Sequence, residues 1–519
     1  MPRTITIDPV TRIEGHLKIE ATVDDGLVKE AKSSGTLFRG FEIILRGREP
    51  RDAQRITQRV CGVCTTAHAT ASALNLDSAF GIADQVPDNG RIIRNLTFGS
   101  NFLQSHILHF YHLTALDFVD VTAMANYEGQ DAGMASLAEF LARGEAGPFV
   151  PRYEGDYRFD KKTNQELVGH YLMALDMRRL AQEMLAIFGG KMPHNCTIVP
   201  GGVTENPTVD KIAGFLWRLN KIRHFIDTVY LPDVIAVART YPDYFRIGAG
   251  PGNFLAYGVF ELDGKDPDYT KRERLLPQGA LEGMAALKAL DPGQITESVT
   301  HSWFQDSPAL HPSEGETVPS ARKKEGYSWM KSPRYGGQVY EVGPLARTAV
   351  AYFDGREPTV SMVNGLLGKF GAEPALLNSV LGRHAARALE AKLIADSMAN
   401  WVLELKPGDP VCAPYEVPEM AQGVGLTDAP RGALGHWIQI DEGKIASYQL
   451  VVPTTWNCSP MDEQGQPGAL EQALIGTKVQ DPENPYELVR IVRSFDPCLA
   501  CSIHTINAKG RTAGVASLG

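Results

Sequence analysis

The chain has 519 residues, of which 43% are hydrophobic and 8% aromatic, and its formal net charge at pH 7 is −10. That length allows about three domains and a sizeable core, while a mild acidic excess without basic patches excludes a typical nucleic-acid binder. No apolar run approaches the roughly 18 residues of a membrane span, and the N-terminus lacks the apolar core of a signal peptide.

Residues 4–31 are predicted to form β-structure. Apolar residues alternate with polar ones over 17–23, and Asp25-Gly26 is typical of a hairpin turn. Charged residues in the segment 8–16 interrupt the alternation, and a solvated bend is an equally good interpretation of that segment from its residues alone.

From about residue 50 the pattern becomes helical, and one helix carries three histidines on one side. For these histidines, satisfied buried side chains are favoured over metal ligands. The predicted long helices cover residues 91–117 (with His106, His109 and His112), 165–188, 206–231 and 375–403.

Two stretches between the third and fourth helices have little periodicity. Residues 262–275 are charged, and residues 305–340 are rich in Pro, Gly, Ser and Lys. Both are predicted to be surface excursions rather than domain linkers. Strands are predicted again over 435–452, around a turn at 441–443. The pattern indicates a mainly α chain with β-structure at both ends.

Four of the seven cysteines form two Cys-x-x-Cys pairs, Cys61/Cys64 and Cys498/Cys501, each followed by a histidine. An odd number of cysteines in so long a chain does not indicate a disulfide framework. Four thiolates in two pairs suit a soft transition metal. If both pairs share one site, the two ends of the chain must meet, which favours one intertwined domain.

Two other interpretations of the pairs are less favoured. Zinc ribbons place their pairs about 15–20 residues apart, whereas these pairs lie at opposite ends of the chain. A thioredoxin-like redox centre needs a single pair beside a βαβ unit, which two matching pairs do not provide.

The two stretches resemble the signature motifs of the large subunit of nickel–iron hydrogenases. Several other segments are similar to that family as well. The motifs are RVCGVCTTAH (59–68) and DPCLACSIH (496–504), and the further segments are 8–16, 38–42, 429–434 and 452–457. The resemblance implies a large-subunit-like α+β fold, mainly α with peripheral β around a central bundle of long helices. It also implies a single catalytic domain over 1–504, with an N-terminal β region of about 1–35.

The resemblance implies a nickel–iron centre held by the four paired cysteines. Cys61 and Cys498 would be terminal nickel ligands, and Cys64 and Cys501 would bridge nickel to iron. The iron would also carry carbon monoxide and two cyanides.

Five further residues are assigned around this centre by the resemblance. Arg431, beside Pro430, would lie over the open metal position and near one cyanide, and Thr454 would hydrogen-bond the other. His68 would hydrogen-bond a bridging sulfur. Glu14 would accept the first proton, which suits heterolytic cleavage of dihydrogen because a carboxyl in a dry site can have its pKa raised toward neutrality.

A second metal site, for magnesium or iron, is also implied. Its ligands would be Glu42, His504 and the backbone carbonyl of Leu450. Residues 505–519 would be a maturation peptide, removed after His504 by a dedicated protease once metal-insertion proteins have acted.

Two departures from the family pattern concern the site. Ser105 stands where many members have an aspartate that positions the arginine, which leaves Asp496 as a candidate partner of Arg431. The segment around Ser105 resembles the nickel–iron–selenium branch, in which selenocysteine replaces the first cysteine of the C-terminal pair. This chain has Cys498 there and is expected to be a sulfur enzyme related to that branch.

The expected function is reversible oxidation of dihydrogen by a heterodimer. Cys196, Cys412 and Cys458 are isolated, so electrons must leave through a partner, which in the family is an iron–sulfur small subunit. Co-export with that subunit predicts a periplasmic and possibly membrane-associated location, with the cytoplasm as the alternative. A hydrogen-sensing regulatory subunit is the alternative function, and a structural zinc protein the non-enzyme alternative. A respiratory complex I homologue is contradicted by the four cysteines.

Overall fold

The computed structural model describes residues 2–144, 147–266, 268 and 271–502, and for Pro148, Cys501 and Ser502 the backbone alone. The helices are α1 Phe41–Leu45, α2 Asp52–Thr57, α3 Thr65–Ala79, α4 Asp88–Ile107, α5 Ala132–Ala142, α6 Lys161–Gly189, α7 Val209–Phe225, α8 Leu231–Thr240, α9 Pro344–Phe353, α10 Thr359–Phe370, α11 Val380–Glu404, α12 Pro453–Asn457, α13 Ala469–Leu474, α14 Tyr486–Ser494 and α15 Leu499–Ser502.

The strands are short and form several small antiparallel sheets. They are β1 Arg3–Ile7, β2 Leu17–Asp24, β3 Leu27–Gly35, β4 Ile198–Val199, β5 Gly202–Val203, β6 Phe254–Ala256, β7 Val259–Glu261, β8 Arg274–Leu276, β9 Gly279–Glu282, β10 Ala286–Lys288, β11 Ile295–Ser298, β12 Ser332–Tyr335, β13 Ala421–Ala429, β14 Gly432–Asp441 and β15 Lys444–Val451.

The predicted N-terminal β-structure is confirmed as the sheet β1-β2-β3. Its central strand buries alternate residues, as the apolar alternation requires. The Asp25-Gly26 turn joins β2 to β3, and both residues have positive φ, the conformation that favours glycine and tolerates aspartate.

Long helices form the centre of the molecule, as predicted. Helix α4 packs against α6 and α11, and α7 packs against α6 and α11. The helix expected over 91–117 is α-helical only to Ile107 and continues as a π-helical turn, Leu108–Thr114. Among the helices of the described residues, none has the length and apolar character needed to cross a membrane.

The three histidines of α4 and the π-helical turn are buried or half-buried, and each makes one ring hydrogen bond. Nδ1 of each has no partner among the described residues, so the interpretation as satisfied side chains is confirmed for one ring nitrogen of each. Each uses Nε2: His106 lies 2.8 Å from the Glu390 carboxylate, and His109 and His112 lie 2.7 and 3.3 Å from backbone carbonyls. Burial lowers the pKa of all three, so they are neutral at neutral pH.

The sheet β13-β14-β15 contains the strands predicted over 435–452 and one strand, β13, that was not predicted. Gly423 and Gly425 let β13 lie directly on α3, because a Cβ would come within 2.3 Å of the Asn75 carbonyl oxygen or 2.1 Å of that of Ala71. This register directs the N-terminal end of α3 toward the turn between β13 and β14.

The prediction of a surface excursion over 305–340 is wrong for residues 328–335, which lie in or at the edge of the core. The polar residues there are satisfied internally rather than by water. Ser328 accepts a hydrogen bond from a backbone N–H at 3.0 Å, and Arg334 pairs with Asp462 at 2.5 Å. Residues 328–335 are therefore buried despite their polar composition, because their polar groups are paired within the protein.

Candidate metal centre

The two cysteine stretches meet in the interior. Cys61 follows a 3₁₀ turn, Cys64 stands at the N-terminus of α3, and Cys498 lies between α14 and α15. The Sγ atoms of Cys61 and Cys498 are 3.3 Å apart, and those of the three cysteines all lie within 4.8 Å of one another. The side chain of Cys501 lies outside the described residues.

Glu14 is joined to the C-terminal stretch through its backbone and its side chain. Its N–H donates to the Pro497 carbonyl at 3.3 Å, and its carbonyl accepts from Leu499 N–H at 2.7 Å. The Oε2 atom accepts from Cys498 Sγ at 3.2 Å and from Ala500 N–H at 2.9 Å. The segment 8–16 is therefore part of the site rather than a solvated bend.

Glycine at position 15 makes this approach possible. Gly15 has φ +83°, and a Cβ there would lie 2.7 Å from the Cβ of Leu499. Burial, and then the negative charge of Cys61, raise the pKa of Glu14 above its ordinary value. A carboxyl that titrates closer to neutrality can both take up and release a proton.

Arg431 lies in the buried turn between β13 and β14 and contacts Asp496. Its Nε donates to the Asp496 backbone carbonyl at 3.0 Å, and Nη2 lies 2.9 Å from Asp496 Oδ1. Both terminal nitrogens of Arg431 are buried, and apart from this ion pair of Nη2 they have no acceptor among the described residues. Burial opposes its charge, but Asp496 and the cysteine thiolates raise the pKa of Arg431, which stays protonated.

Ser105 is fully buried, and its hydroxyl has no hydrogen-bond partner among the described residues. The carboxylate that contacts Arg431 is that of Asp496, the partner predicted from the sequence. Asp496 follows α14 with φ 55°, a left-handed conformation that aspartate tolerates better than most residues. This bend turns the chain into Pro497 and Cys498.

Thr454 and Pro430 are both buried next to residues of the site. The Thr454 Oγ1 accepts a hydrogen bond from Cys498 N–H at 2.9 Å. Its own hydroxyl hydrogen is then available to donate. Pro430 precedes Arg431 in the turn, and its carbonyl accepts from Arg347 at 2.9 Å.

His68 lies on the first turns of α3 and is buried. Its Nδ1 is 3.2 Å from His436 Nε2, and His436 Nδ1 is 2.8 Å from the hydroxyl of Tyr448. Burial lowers the pKa of His68 to about 4, so the ring is neutral at neutral pH. The chain of contacts fixes the orientation of the ring.

Glu42 is buried in α1 and its carboxylate contacts residue 450, but through the N–H rather than the carbonyl, at 3.0 Å. Thr317 donates to the other oxygen, and Lys331 Nζ lies 3.9 Å from it. The predicted ligand His504 lies outside the described residues. Sequence reasoning missed Lys331, which stands in the stretch that was expected at the surface.

Arg39 was also missed as an individual residue, although it belongs to a segment that carried the resemblance. Its guanidinium donates to the carbonyls of Arg59 and Val60, just before Cys61, and to that of Ala500, just before Cys501. One side chain thus joins the two cysteine stretches.

The residues of the site fit a soft metal that carries anionic ligands. Three buried thiols converge, and soft sulfur ligands select soft metals. Nη1 of Arg431 has no acceptor among the described residues and is a donor available to a bound group. Buried polar groups are otherwise almost always paired.

A family model described as Nickel-dependent hydrogenase matches residues 39–504, and a model described as HoxL-like matches residues 4–34. This chain belongs to the nickel-dependent hydrogenase family. It is 44% identical to the periplasmic [NiFeSe] hydrogenase large subunit of Desulfomicrobium baculatum, over 97% of this chain and 95% of the relative. It is 38% identical to the uptake hydrogenase large subunit of Rhizobium leguminosarum bv. viciae, over 98% and 96%.

Solved hydrogenase structures confirm the predicted α+β large-subunit fold. The as-isolated oxidized Ni-Fe-Se hydrogenase of D. vulgaris Hildenborough matches with a TM-score of 0.87 and 43% identity, over 97% of this chain and 100% of that chain. The reduced, active Ni-Fe-Se hydrogenase of Desulfomicrobium baculatum gives 0.86 and 44%, with the same coverage. The chain is therefore the large subunit of a hydrogenase, an oxidoreductase that acts on dihydrogen with nickel and iron.

Proposed function

We propose that this subunit cleaves and forms dihydrogen heterolytically at a nickel–iron centre held by Cys61, Cys64, Cys498 and Cys501. Cys61 and Cys498 would hold nickel, and Cys64 and Cys501 would be ligands shared with iron. The observation that carries the proposal is the convergence of three buried thiols from both ends of the chain, with the Glu14 carboxyl 3.2 Å from one of them. When bound, the metal pair supplies the site that accepts hydride.

Glu14 takes the proton that leaves the Cys498 sulfur. The hydrogen-bond distance of 3.2 Å between Sγ and Oε2 allows direct transfer. Burial raises the pKa of the Glu14 carboxyl, which brings it closer to that of a thiol. The backbone bridge between Glu14 and the C-terminal stretch keeps donor and acceptor at this separation.

Arg431 and Thr454 would donate hydrogen bonds to the two cyanide ligands of the iron, which would also carry carbon monoxide. Nη1 of the buried guanidinium has no acceptor among the described residues, and a charged donor suits an anionic ligand. The Thr454 hydroxyl accepts from Cys498 N–H and so directs its hydrogen elsewhere. Neutral His68, whose Nδ1 faces His436, would use its Nε2 to donate a hydrogen bond to a cysteine sulfur of the centre.

Glu42, the Leu450 carbonyl and His504 bind a second ion, magnesium or iron. The Glu42 carboxylate is buried next to the backbone of Leu450, which supports the pairing of these two ligands. A carboxylate and a carbonyl suit a hard cation.

Electrons pass to an iron–sulfur small subunit, since the described residues outside the centre contain isolated cysteines alone. Relatives include a periplasmic and an uptake hydrogenase, which supports hydrogen oxidation by a periplasmic heterodimer, exported with the small subunit. A dedicated protease removes residues 505–519 after His504 once metal-insertion proteins have inserted the nickel.

Infrared spectroscopy of the purified heterodimer, processed after His504, tests the proposal. One carbon monoxide stretch and two cyanide stretches are expected. Absence of these stretches from a processed, nickel-containing preparation would refute the proposed nickel–iron centre. A Cys498→Ser variant, which removes one terminal thiolate, should lose nickel and serves as the negative control.

A further inference from the structure

Arg347 on α9 is fully buried and uses all five of its N–H groups. Nε and Nη2 donate to the two oxygens of Glu390 at 2.8 and 2.7 Å. Nη1 donates to Asp428 at 3.2 Å and to the carbonyl of Ala429 at 2.9 Å. Nη2 also donates to the carbonyl of Pro430 at 2.9 Å. Two of the five bonds therefore end on the peptide groups directly before Arg431.

The partners of Arg347 are themselves fixed. Glu390 on α11 also lies 2.8 Å from His106 Nε2, and Asp428 accepts from Gly258 N–H at 2.7 Å. Burial opposes ionisation of Glu390, but the Arg347 guanidinium outweighs this effect and lowers the pKa of Glu390 to about 2. The two carboxylates thus hold the Arg347 guanidinium in a single orientation. Because the guanidinium is planar and rigid, the N–H groups that bind the Ala429 and Pro430 carbonyls are fixed as well.

The same turn is confined on its other side by the start of α9. Gly432 has φ +133°, and a Cβ there would come within 2.6 Å of Gly343 N. A Cβ on Gly343 would meet the Arg431 carbonyl at 3.1 Å. Two glycines therefore let the backbone of the turn lie against α9, and the side chain of Arg431 extends from a backbone with little freedom to move.

Resting on the proposed function, we propose that Arg347 is a positioning residue for Arg431. By holding the carbonyls of Ala429 and Pro430, it sets where the terminal N–H groups of Arg431 would meet the diatomic ligands of the metal. A buried ion pair with a merely structural role would contribute to stability but would leave those ligands unaffected.

Arg347→Lys in the processed heterodimer tests this assignment. Lysine keeps the positive charge between Glu390 and Asp428, but three donors on one nitrogen cannot serve five positions. We expect nickel content and assembly to persist, the cyanide stretches to shift, and amide hydrogen exchange to accelerate over 429–434. The turnover number should fall by about 10–100-fold, the effect typical of residues that orient groups around a metal.

Arg94→Lys is the matched control. Arg94 is a buried arginine that pairs with Asp77 at 2.6 Å and donates to the backbone carbonyls of Gly202 and Val199. Its partner Asp77 lies near the C-terminal end of α3, the end away from Cys64. This variant should lower the melting temperature and leave both the cyanide stretches and the exchange of the turn as in the parent.

Parental cyanide stretches and parental exchange over 429–434 in Arg347→Lys would overturn the positioning role. If that variant does not assemble, Glu390→Gln is measured instead. It keeps Arg347 but weakens its anchor, so the same bands should shift in the same direction by a smaller amount, and unshifted bands would again overturn the role. A parent heterodimer without carbon monoxide and cyanide stretches would refute the proposed function, a result distinct from an unperturbed variant.

Discussion

Replacing Glu14 by glutamine removes the carboxyl that accepts from the Cys498 sulfur and keeps the size of the side chain. The amide oxygen can still accept from Ala500 N–H, and the two backbone bonds between residue 14 and the C-terminal stretch do not involve the side chain. The metal centre should therefore remain intact. Proton transfer from the sulfur loses its acceptor, because an amide does not take up a proton.

The expected loss is about 10²–10⁴-fold in the rate of exchange between deuterium gas and solvent protons, the usual contribution of a positioned general acid or base. That range corresponds to about 2.7–5.4 kcal/mol of barrier. Burial and the charge of Cys61 raise the pKa of Glu14, so parental exchange should fall as the pH drops through this raised pKa. The Glu14→Gln variant should not show this fall in exchange rate with pH.

Gas exchange followed by mass spectrometry, with nickel content and infrared bands measured on the same samples, is the assay. Glu487→Gln is the control, since Glu487 is also a buried carboxyl whose pKa burial raises and which accepts from one backbone N–H, at 3.1 Å. Parental exchange rates in a Glu14→Gln sample with intact infrared bands would remove Glu14 from the proton path.

Three further variants test other parts of the site and the core. Thr454→Val leaves the buried Cys498 N–H without an acceptor and should cost about 1–3 kcal/mol of stability, seen as a lower melting temperature with one shifted cyanide band. Arg431→Lys keeps the charge but loses the fork and should lower turnover by about 10–100-fold. Burial raises the pKa of Glu471 from 4.5 to about 7, so parental stability falls as pH rises between these values, and Glu471→Gln should remove about 3 kcal/mol of this fall.

Each of these variants has an outcome that contradicts the reasoning. An unchanged melting temperature in Thr454→Val would show that another acceptor serves the Cys498 N–H. Parental turnover in Arg431→Lys would mean that the fork geometry is unimportant. For Glu471→Gln, the melting temperature relative to the parent should rise with pH, because the parent alone pays for ionising a buried carboxyl. A pH-independent difference would refute the assignment of that pKa.

Local patterns were sufficient for the N-terminal sheet, the long helices and two strands of the C-terminal sheet. The hairpin at Asp25-Gly26, the long helices and the strands over 435–452 follow from spacing and turn chemistry, which act between neighbours in the chain. Residues 328–335 could not be predicted in this way, because their polar side chains are paired with residues such as Asp462 that lie far away in sequence.

The sequence by itself determined the candidate residues, because the two cysteine pairs and the segments with Glu14 and Arg431 are short motifs that resemble those of a known family. Only the tertiary structure decided how they meet. The 3.2 Å contact of Glu14 with Cys498 depends on a bridge between the two ends of the chain, and Asp496 reaches Arg431 through a left-handed bend. No sequence motif indicates the role of Arg347, because its five hydrogen bonds connect α9 to α11 and to the end of β13, which are far apart in the chain. Contacts between elements distant in sequence are set by packing, and packing is a property of the whole fold.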